Sequence, residues 1–390
     1  MTKKNRLILV DGSGYIFRAY YALPPMNRPD GTPVNAVFGF TNMLVKLIED
    51  YGNEKLLVVF DAARENYRNK IYPEYKANRG EPPEDLVPQF DLIKKCVKAF
   101  NVPQIEMRGY EADDIIASYS NVAQNNNFLT LIISSDKDLM QLVNKDVLML
   151  DPIKNKQIGI DEVIEKFGVK PDKVTQVQAL MGDSIDNIPG APGIGPKTAA
   201  ELINTFGSVE ELINNYKKIK QNKRQEIIKE NQKKIKISLE LVKLKLDIKL
   251  PTSIEKIIPY KDSNNDLKIV EKFLLEQGFR SVLERLKKNN FISPIGDKTN
   301  ENIKNQVEFI TLSNTEELKK VCKEIYNYGV LAIDTETDSL DINKVNLVGA
   351  SLCYNDKKAY YIPLIHKELN TNKLYQNQIS LKDFISEIST

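Results

Sequence analysis

Acidic residues follow the apolar runs in the first part of this 390-residue chain. Runs that begin at Leu7, Leu56 and Leu129 lead into four aspartates: Asp11, Asp61, Asp136 and Asp138. Further acids stand at a predicted helix start and beside a Gly/Pro-rich segment: Glu111, Asp113, Asp114, Asp183 and Asp186. Because ligands of open parallel α/β sheets bind beyond the carboxyl ends of the strands, we expect these carboxylates to converge there.

So many carboxylates cannot share one site without neutralisation. Two unit charges 4 Å apart repel by roughly 4 kcal/mol at an effective dielectric constant of 20. Either some of the acids are protonated, or cations compensate them. Carboxylate oxygens are the ligands that Mg²⁺ and Mn²⁺ prefer, and two such ions about 3.5–4 Å apart suit phosphodiester hydrolysis. The acids therefore predict a two-metal site that hydrolyses phosphodiesters.

Each acid has an ordinary structural explanation when it is taken alone. Asp11 could be a turn residue after a strand, and Asp113 and Asp114 could complement a helix dipole. Asp183 and Asp186 could cap a helix or form Asx turns. The coincidence of acids at successive strand ends favours the metal site over these separate explanations.

Two segments could hold phosphates. Residues 67–79 interleave cations and tyrosines that could bind phosphates and stack on bases, although an exposed amphipathic helix explains the same pattern: Arg68, Tyr75, Lys76 and Arg79. A glycine turn precedes the predicted helix 199–206, where backbone N–H groups could meet a phosphate. This turn, which could also be a plain helix–helix connection, contains Gly193, Gly195, Lys197 and Thr198.

Composition narrows the chemistry further. The chain has one histidine, His366, and no C-x-x-C pair, which argues against histidine-based zinc sites, serine–histidine triads and disulfide frameworks. The net charge is +2, but the charge is unevenly distributed: the segment from Lys217 to Lys249 contains twelve lysines and arginines and only four acids. This basic run indicates either nucleic-acid binding or a solvated helical face. The apolar runs are too short to span a membrane, and no signal peptide is evident, so we expect a cytoplasmic protein.

The elements that must position these residues follow from periodicity. Residues 1–160 alternate apolar strands with amphipathic helices, which predicts a parallel α/β sheet. Residues 161–288 are predominantly helical. The polar segment 289–306 is predicted to be a linker, and 307–390 begins another α/β unit.

The motifs, in their order along the chain, resemble the 5′-nuclease domains of bacterial DNA polymerase I. The resemblance covers residues 5–288 and rests on these segments: Ile8-Leu-Val-Asp-Gly-Ser13, Val59-Phe-Asp-Ala62, Glu111-Ala-Asp-Asp114, Ser135-Asp-Lys-Asp138 and Met181-Gly-Asp-Ser-Ile-Asp-Asn-Ile-Pro-Gly190. It implies a PIN-like core with a helical arch and a helical DNA-binding subdomain. It also implies a monomeric flap endonuclease and 5′→3′ exonuclease acting in replication and repair on DNA with 5′ flaps, nicks or RNA primers.

The resemblance also implies roles for individual residues. One metal ion would lie among Asp11, Asp61, Glu111, Asp113, Asp114, Asp136 and Asp138, and a second would be served by Asp138, Asp183 and Asp186. Three cations would steer the scissile phosphate, with Tyr75 stacking nearby: Arg18, Lys76 and Arg79. The turn from Gly193 to Lys197 resembles a helix-three-turn-helix, at which a potassium ion could bridge to duplex phosphate.

The tail resembles the start of a second nuclease of the same family. Ala332-Ile-Asp-Thr-Glu-Thr-Asp-Ser-Leu340 is similar to the first motif of a 3′→5′ exonuclease of the RNase H-like fold, with Asp334 and Glu336 as metal ligands. The later carboxylate motifs and a polymerase domain are absent from this sequence. We therefore expect a truncated, vestigial 3′-exonuclease site.

Three other functions are weighed against this one. A small ribonuclease of a related fold is disfavoured because such domains usually lack the Lys76–Arg79 segment and the helical anchor. An inert DNA-structure-binding protein would lack some of the acids. A phosphatase with an aspartyl nucleophile would carry Asp-x-Asp after the first strand, where this chain has Asp11-Gly12-Ser13.

Overall fold

The structure is a computed structural model that describes residues 5–263, 265–288, 308–339, 344–355, 357–368 and 373–389. The chain forms two compact units, Met1–Ile292 and Ser293–Thr390. The predicted linker, 289–306, lies outside the described residues. None of the described helices is both long enough and apolar enough to cross a membrane.

The first unit is built on a six-stranded sheet of order β3-β2-β1-β4-β5-β6. Its strands are β1 (Arg6–Asp11), β2 (Lys55–Phe60), β3 (Gln104–Glu106), β4 (Leu129–Ile133), β5 (Val147–Asp151) and β6 (Lys156–Ile158). β1 to β5 pair in parallel, which confirms the predicted sheet, and β6 returns antiparallel to β5. β3 and β6, three residues each, were not predicted, because such short segments carry no apolar run.

Both faces of this sheet are buried. Along β1, Leu7 and Leu9 pack into one hydrophobic cluster, and Ile8 and Val10 pack into the other. Helices cover both faces, which is why the central strands read as unbroken apolar runs rather than as alternating ones. The helices that connect the first four strands along the chain are α1 (Gly12–Ala22), α2 (Asn35–Tyr51), α3 (Tyr67–Ile71), α4 (Val87–Ala99) and α5 (Ala112–Asn125).

The segment 67–79, for which an exposed amphipathic helix was one of the two explanations, is mostly not helical. α3 has five residues, and turns follow from Pro73 to Asn78. Asn66 begins α3 by accepting the Arg68 N–H at 2.8 Å, and Tyr72 ends it in an extended conformation. The side chains of the segment are held by the acids below it, as described in the next section.

Helices make up most of the rest of this unit, as the sequence predicts. They are α6 (Ile160–Phe167), α7 (Val174–Met181), α8 (Pro196–Phe206), α9 (Val209–Asn214), α10 (Asn222–Val242), α11 (Leu267–Gln277) and α12 (Arg280–Lys288). α10 packs mainly against α7 and buries one face, including Ile228 and Ile235. The hydrophobic cluster around α5 continues into α7 to α10, so the helices share one core with the sheet.

The second unit has a four-stranded sheet of order β7-β10-β9-β8. Its strands and helices are β7 (Glu308–Thr311), α13 (Thr315–Tyr328), β8 (Ala332–Thr337), β9 (Leu347–Cys353), β10 (Lys358–Pro363) and α14 (Leu381–Ile388). α13 and α14 contact each other, and a small core includes Leu318, Leu352 and Phe384. The six residues of β8, at the edge of this sheet, are all exposed.

Candidate active site

A pocket of about 130 Å³ lies where β1, β2 and β4 end and α5 begins. Seven of the nine acids singled out in the first unit line it: Asp11, Asp61, Glu111, Asp113, Asp136, Asp138 and Asp186. The parallel sheet brings the strand-end acids to one edge, and the N-terminus of α5 meets them there. The convergence of these acids in the pocket is therefore a property of the fold.

Asp11 is fixed by two hydrogen bonds. One carboxylate oxygen caps α1 by accepting the Gly14 N–H at 2.8 Å, and the other accepts the Ser134 hydroxyl at 2.8 Å. Burial raises the pKa of this carboxyl to about 6, although both hydrogen bonds oppose the shift. The neighbouring Asp61 accepts the Ala112 N–H at 2.8 Å, which ties the end of β2 to the start of α5.

Two more carboxyls in the pocket have raised pKa values, so that their charged forms are disfavoured. Burial, together with the charges of Asp136, Asp11 and Glu111, raises the pKa of Asp113 well above its usual value. Burial and the charge of Asp136 raise the pKa of Asp138 to about 7. The pocket therefore has an excess of negative charge that added cations would relieve.

Lysines and arginines neutralise other acids of the site. Lys76 Nζ pairs with Glu111, and the Arg79 guanidinium pairs with Asp186. The backbone of Lys76 is left-handed, at φ 58°, and its N–H donates to the Asp186 carbonyl at 2.9 Å. A left-handed non-glycine residue is held in place by its surroundings, so this turn positions both cations over the acids.

Asp183 and Asp186 are presented by a tight loop. Asp183 and Ile188 exchange two backbone hydrogen bonds, at 3.0 and 2.7 Å. A Cβ atom at Gly190, where φ is +56°, would come within 2.5 Å of the Gly182 nitrogen, so only glycine fits there. Asp183 does not line the pocket; it pairs with Lys137, which holds the pKa of its carboxyl below the usual value against the effect of burial.

The donor set of the pocket fits a hard divalent cation in chemistry and in charge. All seven acids offer oxygen ligands, and the excess charge described above favours a cation. Among the described residues, however, no three histidine, cysteine or acidic side chains stand ready as a preformed metal site. Lys76 and Arg79 pair with two of the seven acids, Glu111 and Asp186.

The structure places Asp114 and Arg68 differently from the prediction. Asp114 is fully buried and is not among the residues that line the pocket; it accepts two Arg68 guanidinium hydrogen bonds at 2.6 and 2.8 Å. Arg68 is 1% exposed and also donates to the Leu241 carbonyl at 2.7 Å. In this structure Asp114 is therefore not placed as a metal ligand, and Arg68 is not placed to touch DNA.

Tyr75 and Arg18 also differ from expectation. Tyr75 is 5% exposed, and its hydroxyl donates to Glu111 at 3.2 Å, so its ring is not free to stack on a base. Arg18 lies outside the acidic pocket, beside the Tyr15 ring and in a separate cavity between α1 and α2. Of the three cations predicted to steer the phosphate, the structure places Lys76 and Arg79 at the acids.

The glycine turn is exposed and leads directly into α8. Gly193 is left-handed, with φ +84°, and Gly195 is the residue that precedes the helix. The helix begins at Pro196, earlier than predicted, so Lys197 and Thr198 lie in its first turn. The exposed Lys197 and the free N–H groups of that turn are compatible with a phosphate contact.

In the second unit, Asp334 and Glu336 lie on β8, two residues apart, so they share one face of the strand. Both are exposed, and they pair in register with Ser351 and Gly349 of β9. Among the described residues of this unit, no side chain is hydrogen-bonded to or ion-paired with either acid.

Sequence reasoning missed several residues that support the acids. Asn66 donates to Glu111 at 3.0 Å, Gln178 donates to Asp138, and Lys137 pairs with Asp183. Lys137 lies inside the quoted motif Ser135-Asp-Lys-Asp138, so a cation among acids was the available signal. Asn66 and Gln178 carried none, because they lie 45 and 40 residues from the acids that they contact, Glu111 and Asp138.

Three families match the chain in succession. Residues 6–168 match a 5′-3′ exonuclease N-terminal resolvase-like domain, and residues 169–266 match a 5′-3′ exonuclease C-terminal SAM fold. Residues 309–382 match a 3′-5′ exonuclease.

Some known proteins resemble only the first part of the chain, and others resemble the whole chain. A 5′-3′ exonuclease of Aquifex aeolicus is 38% identical over 282 residues, 72% of this chain and 95% of that protein. DNA polymerase I of Rhizobium leguminosarum is 36% identical over the whole chain, which spans 46% of that protein. The 5′-exonuclease of bacteriophage T5, solved with zinc ions, superimposes with a TM-score of 0.53 at 23% identity, over 69% of this chain and 98% of the phage protein; this likeness shows the fold.

Proposed function

The chain belongs to the 5′-3′ exonuclease family, and we propose that it is a divalent-metal-dependent 5′→3′ exonuclease and flap endonuclease. The observation that carries the metal dependence is the pocket of seven acids, three of which have strongly raised pKa values. We further propose that the chain acts as the N-terminal part of a DNA polymerase I, as a monomer in the cytoplasm.

Two Mg²⁺ or Mn²⁺ ions are the proposed cofactors. Asp11, Asp113 and Asp136 are the residues that would hold the first ion, together with Asp61 and Glu111. Asp138 and Asp186, with Asp183 after release from Lys137, would serve the second. Bound there, such ions supply an activated water and stabilise the leaving oxygen of a phosphodiester.

The cations of the pocket are proposed to hold the substrate. Lys76 and Arg79 now neutralise Glu111 and Asp186. In the loaded site they would exchange these carboxylates for the oxygens of the reacting phosphate, and the arginine fork suits such an oxygen pair. Lys197 and the first turn of α8 would hold the duplex further from the cut, and a K⁺ ion at that turn is part of the same proposal.

The proposed substrates are DNA duplexes with 5′ flaps, nicks or RNA primers. The similarity to a 5′-3′ exonuclease and the fold shared with the T5 flap endonuclease, which was solved with DNA and metal ions, support this choice. The test compares a 5′-flap duplex with a closed single-stranded circle of the same sequence, both in Mg²⁺. Cleavage of the flap duplex near the junction, with the circle intact, supports the proposal. Equal cleavage of both would show a nuclease without preference for 5′ ends.

A further inference from the structure

Helix α10 connects the acidic pocket to the glycine turn. At its C-terminal end, Leu241 and Val242 line the pocket. Nearer its N-terminal end, the Ile227 side chain lies 3.9 Å from the position of a Cβ atom at Gly193. At 1.5 Å per residue, Ile227 and Leu241 are roughly 21 Å apart along the helix axis. DNA bound at both places would follow α10 for about six base steps of 3.4 Å.

One exposed lysine lies halfway along that path. Ile227, Lys234 and Leu241 are seven residues apart, and residues at this spacing lie on the same side of a helix. Lys234 is exposed and, within the described part of the chain, has no ion-pair partner. Lys234 is therefore an available cation on the side of α10 that runs from the pocket to the glycine turn.

A second set of contacts ties the backbone at Lys234 to the loop that carries Asp186. The Gly190 N–H donates to the Ser238 hydroxyl at 2.9 Å, and that hydroxyl donates to the Lys234 carbonyl at 2.8 Å. Gly190 closes the loop that presents Asp186. The helical turn of Lys234 is thus tied to the same loop as the reacting site.

We propose that Lys234 contacts a phosphate of the duplex between the cut site and the glycine turn. This inference rests on the proposed function and extends it, because it assigns a duplex contact to α10 itself. Since Lys234 lies about half of the 21 Å from each end of the path, the phosphate it meets lies two to four nucleotides from the cleaved bond. The single lysine contributes one unit to the salt dependence of binding.

The chain offers a matched control on the same helix. Lys236 is also exposed and lacks an ion-pair partner in the described chain, but two residues turn it by about 200°, to the opposite side of α10. Lys234→Ala and Lys236→Ala therefore remove the same charge from the same element. Thermal melts of both variants check that the fold is retained.

The test measures binding of a 5′-flap duplex by fluorescence anisotropy in EDTA at several salt concentrations. Lys234→Ala should weaken binding three- to tenfold and reduce the salt slope by about one, whereas Lys236→Ala should stay within twofold of the wild type. A neutral methylphosphonate is then placed at phosphates two to four. At one of these positions, the methylphosphonate should weaken binding by the wild type. The same methylphosphonate should not weaken binding by Lys234→Ala any further.

Equal effects of the two substitutions, or independent losses at all three phosphates, would overturn the role of Lys234. The same preparations are assayed for flap cleavage in Mg²⁺. If the wild type cleaves the flap duplex but Lys234→Ala and Lys236→Ala bind it equally well, the proposed function stands and only the role of Lys234 is refuted. A wild type that neither binds nor cleaves the flap duplex overturns both.

Discussion

Replacing Asp138 with asparagine should stabilise the metal-free protein at pH 8. The carboxyl has its pKa raised from 3.8 to about 7 by burial and by the charge of Asp136. A shift of about 3 pKa units corresponds to about 4 kcal/mol of stability lost once the group ionises. Because Asp113, whose pKa is also raised, can take up part of the protonation, we expect the substitution to recover about half of this, ~2 kcal/mol. The amide oxygen of the introduced asparagine can still accept the hydrogen bond that Gln178 donates to Asp138.

The sign of the pH dependence follows from the direction of the shift. A folded-state pKa above the unfolded value means that the stability is fully present below about pH 4 and is lost as the pH rises through 7. Burial raises the pKa of Asp11 to about 6, which adds to the same trend. In EDTA, the wild type should therefore lose stability between pH 5 and pH 8, and Asp138→Asn should lose less.

The assay is urea unfolding in EDTA at pH 5 and pH 8, followed by far-ultraviolet circular dichroism. Asp183→Asn is the control with the opposite sign, because pairing with Lys137 holds the pKa of Asp183 below its usual value. That stabilisation is present at neutral pH and is lost only as the pH falls through the lowered pKa, so Asp183→Asn should destabilise at both pH values. If Asp138→Asn is no more stable than the wild type at pH 8, the reasoning about repulsion in the pocket fails.

Three further predictions concern other parts of the chain. Arg68→Lys should destabilise the fold by about 3 kcal/mol or more in urea unfolding, because lysine cannot replace both guanidinium bonds to Asp114; equal stability would refute this. Lys76→Ala should lower the single-turnover cleavage rate more than the affinity for DNA, whereas Lys197→Ala should mainly weaken DNA binding and reduce its salt slope by about one. If both substitutions changed only the affinity, Lys76 would not act at the reacting phosphate as proposed. Asp334→Ala should leave flap cleavage unchanged, and no shortening of a 5′-labelled strand from its 3′ end is expected with either protein; shortening that vanishes in the variant would show a working second site.

The sheet and its acidic edge could be predicted because two independent patterns coincide. Leu7 to Val10 is apolar at every position, which indicates a strand that is buried on both faces. Asp11 follows at the end where parallel strands place their ligands. These two facts predict the pocket without knowledge of any contact.

The roles of adjacent acids could not be predicted in the same way. Asp113 and Asp114 are consecutive residues in the first turn of α5, so their side chains point about 100° apart. In this structure Asp113 lines the pocket and Asp114 does not, and the sequence does not say which of the two would. The partner that decides it, Arg68, lies 46 residues earlier and comes into contact with Asp114 only through the fold.

The same reasoning explains the segment around Tyr75. Cations interleaved with tyrosines predicted either a segment that binds phosphates and bases or an exposed amphipathic helix. The structure has a third arrangement, in which Tyr75 and Lys76 both contact Glu111. Long polar side chains choose partners from the whole fold, and spacing along the chain does not encode that choice.

The central claim is that the acidic pocket cuts DNA near 5′ ends with the help of divalent metal ions. The most direct measurement is single-turnover cleavage of a 5′-labelled flap duplex by the wild type in Mg²⁺, by the wild type in EDTA and by Asp113→Asn in Mg²⁺. We expect a short labelled product in the first reaction alone, with Asp113→Asn still folded in circular dichroism. Undiminished cleavage in EDTA, or by Asp113→Asn, would contradict the account.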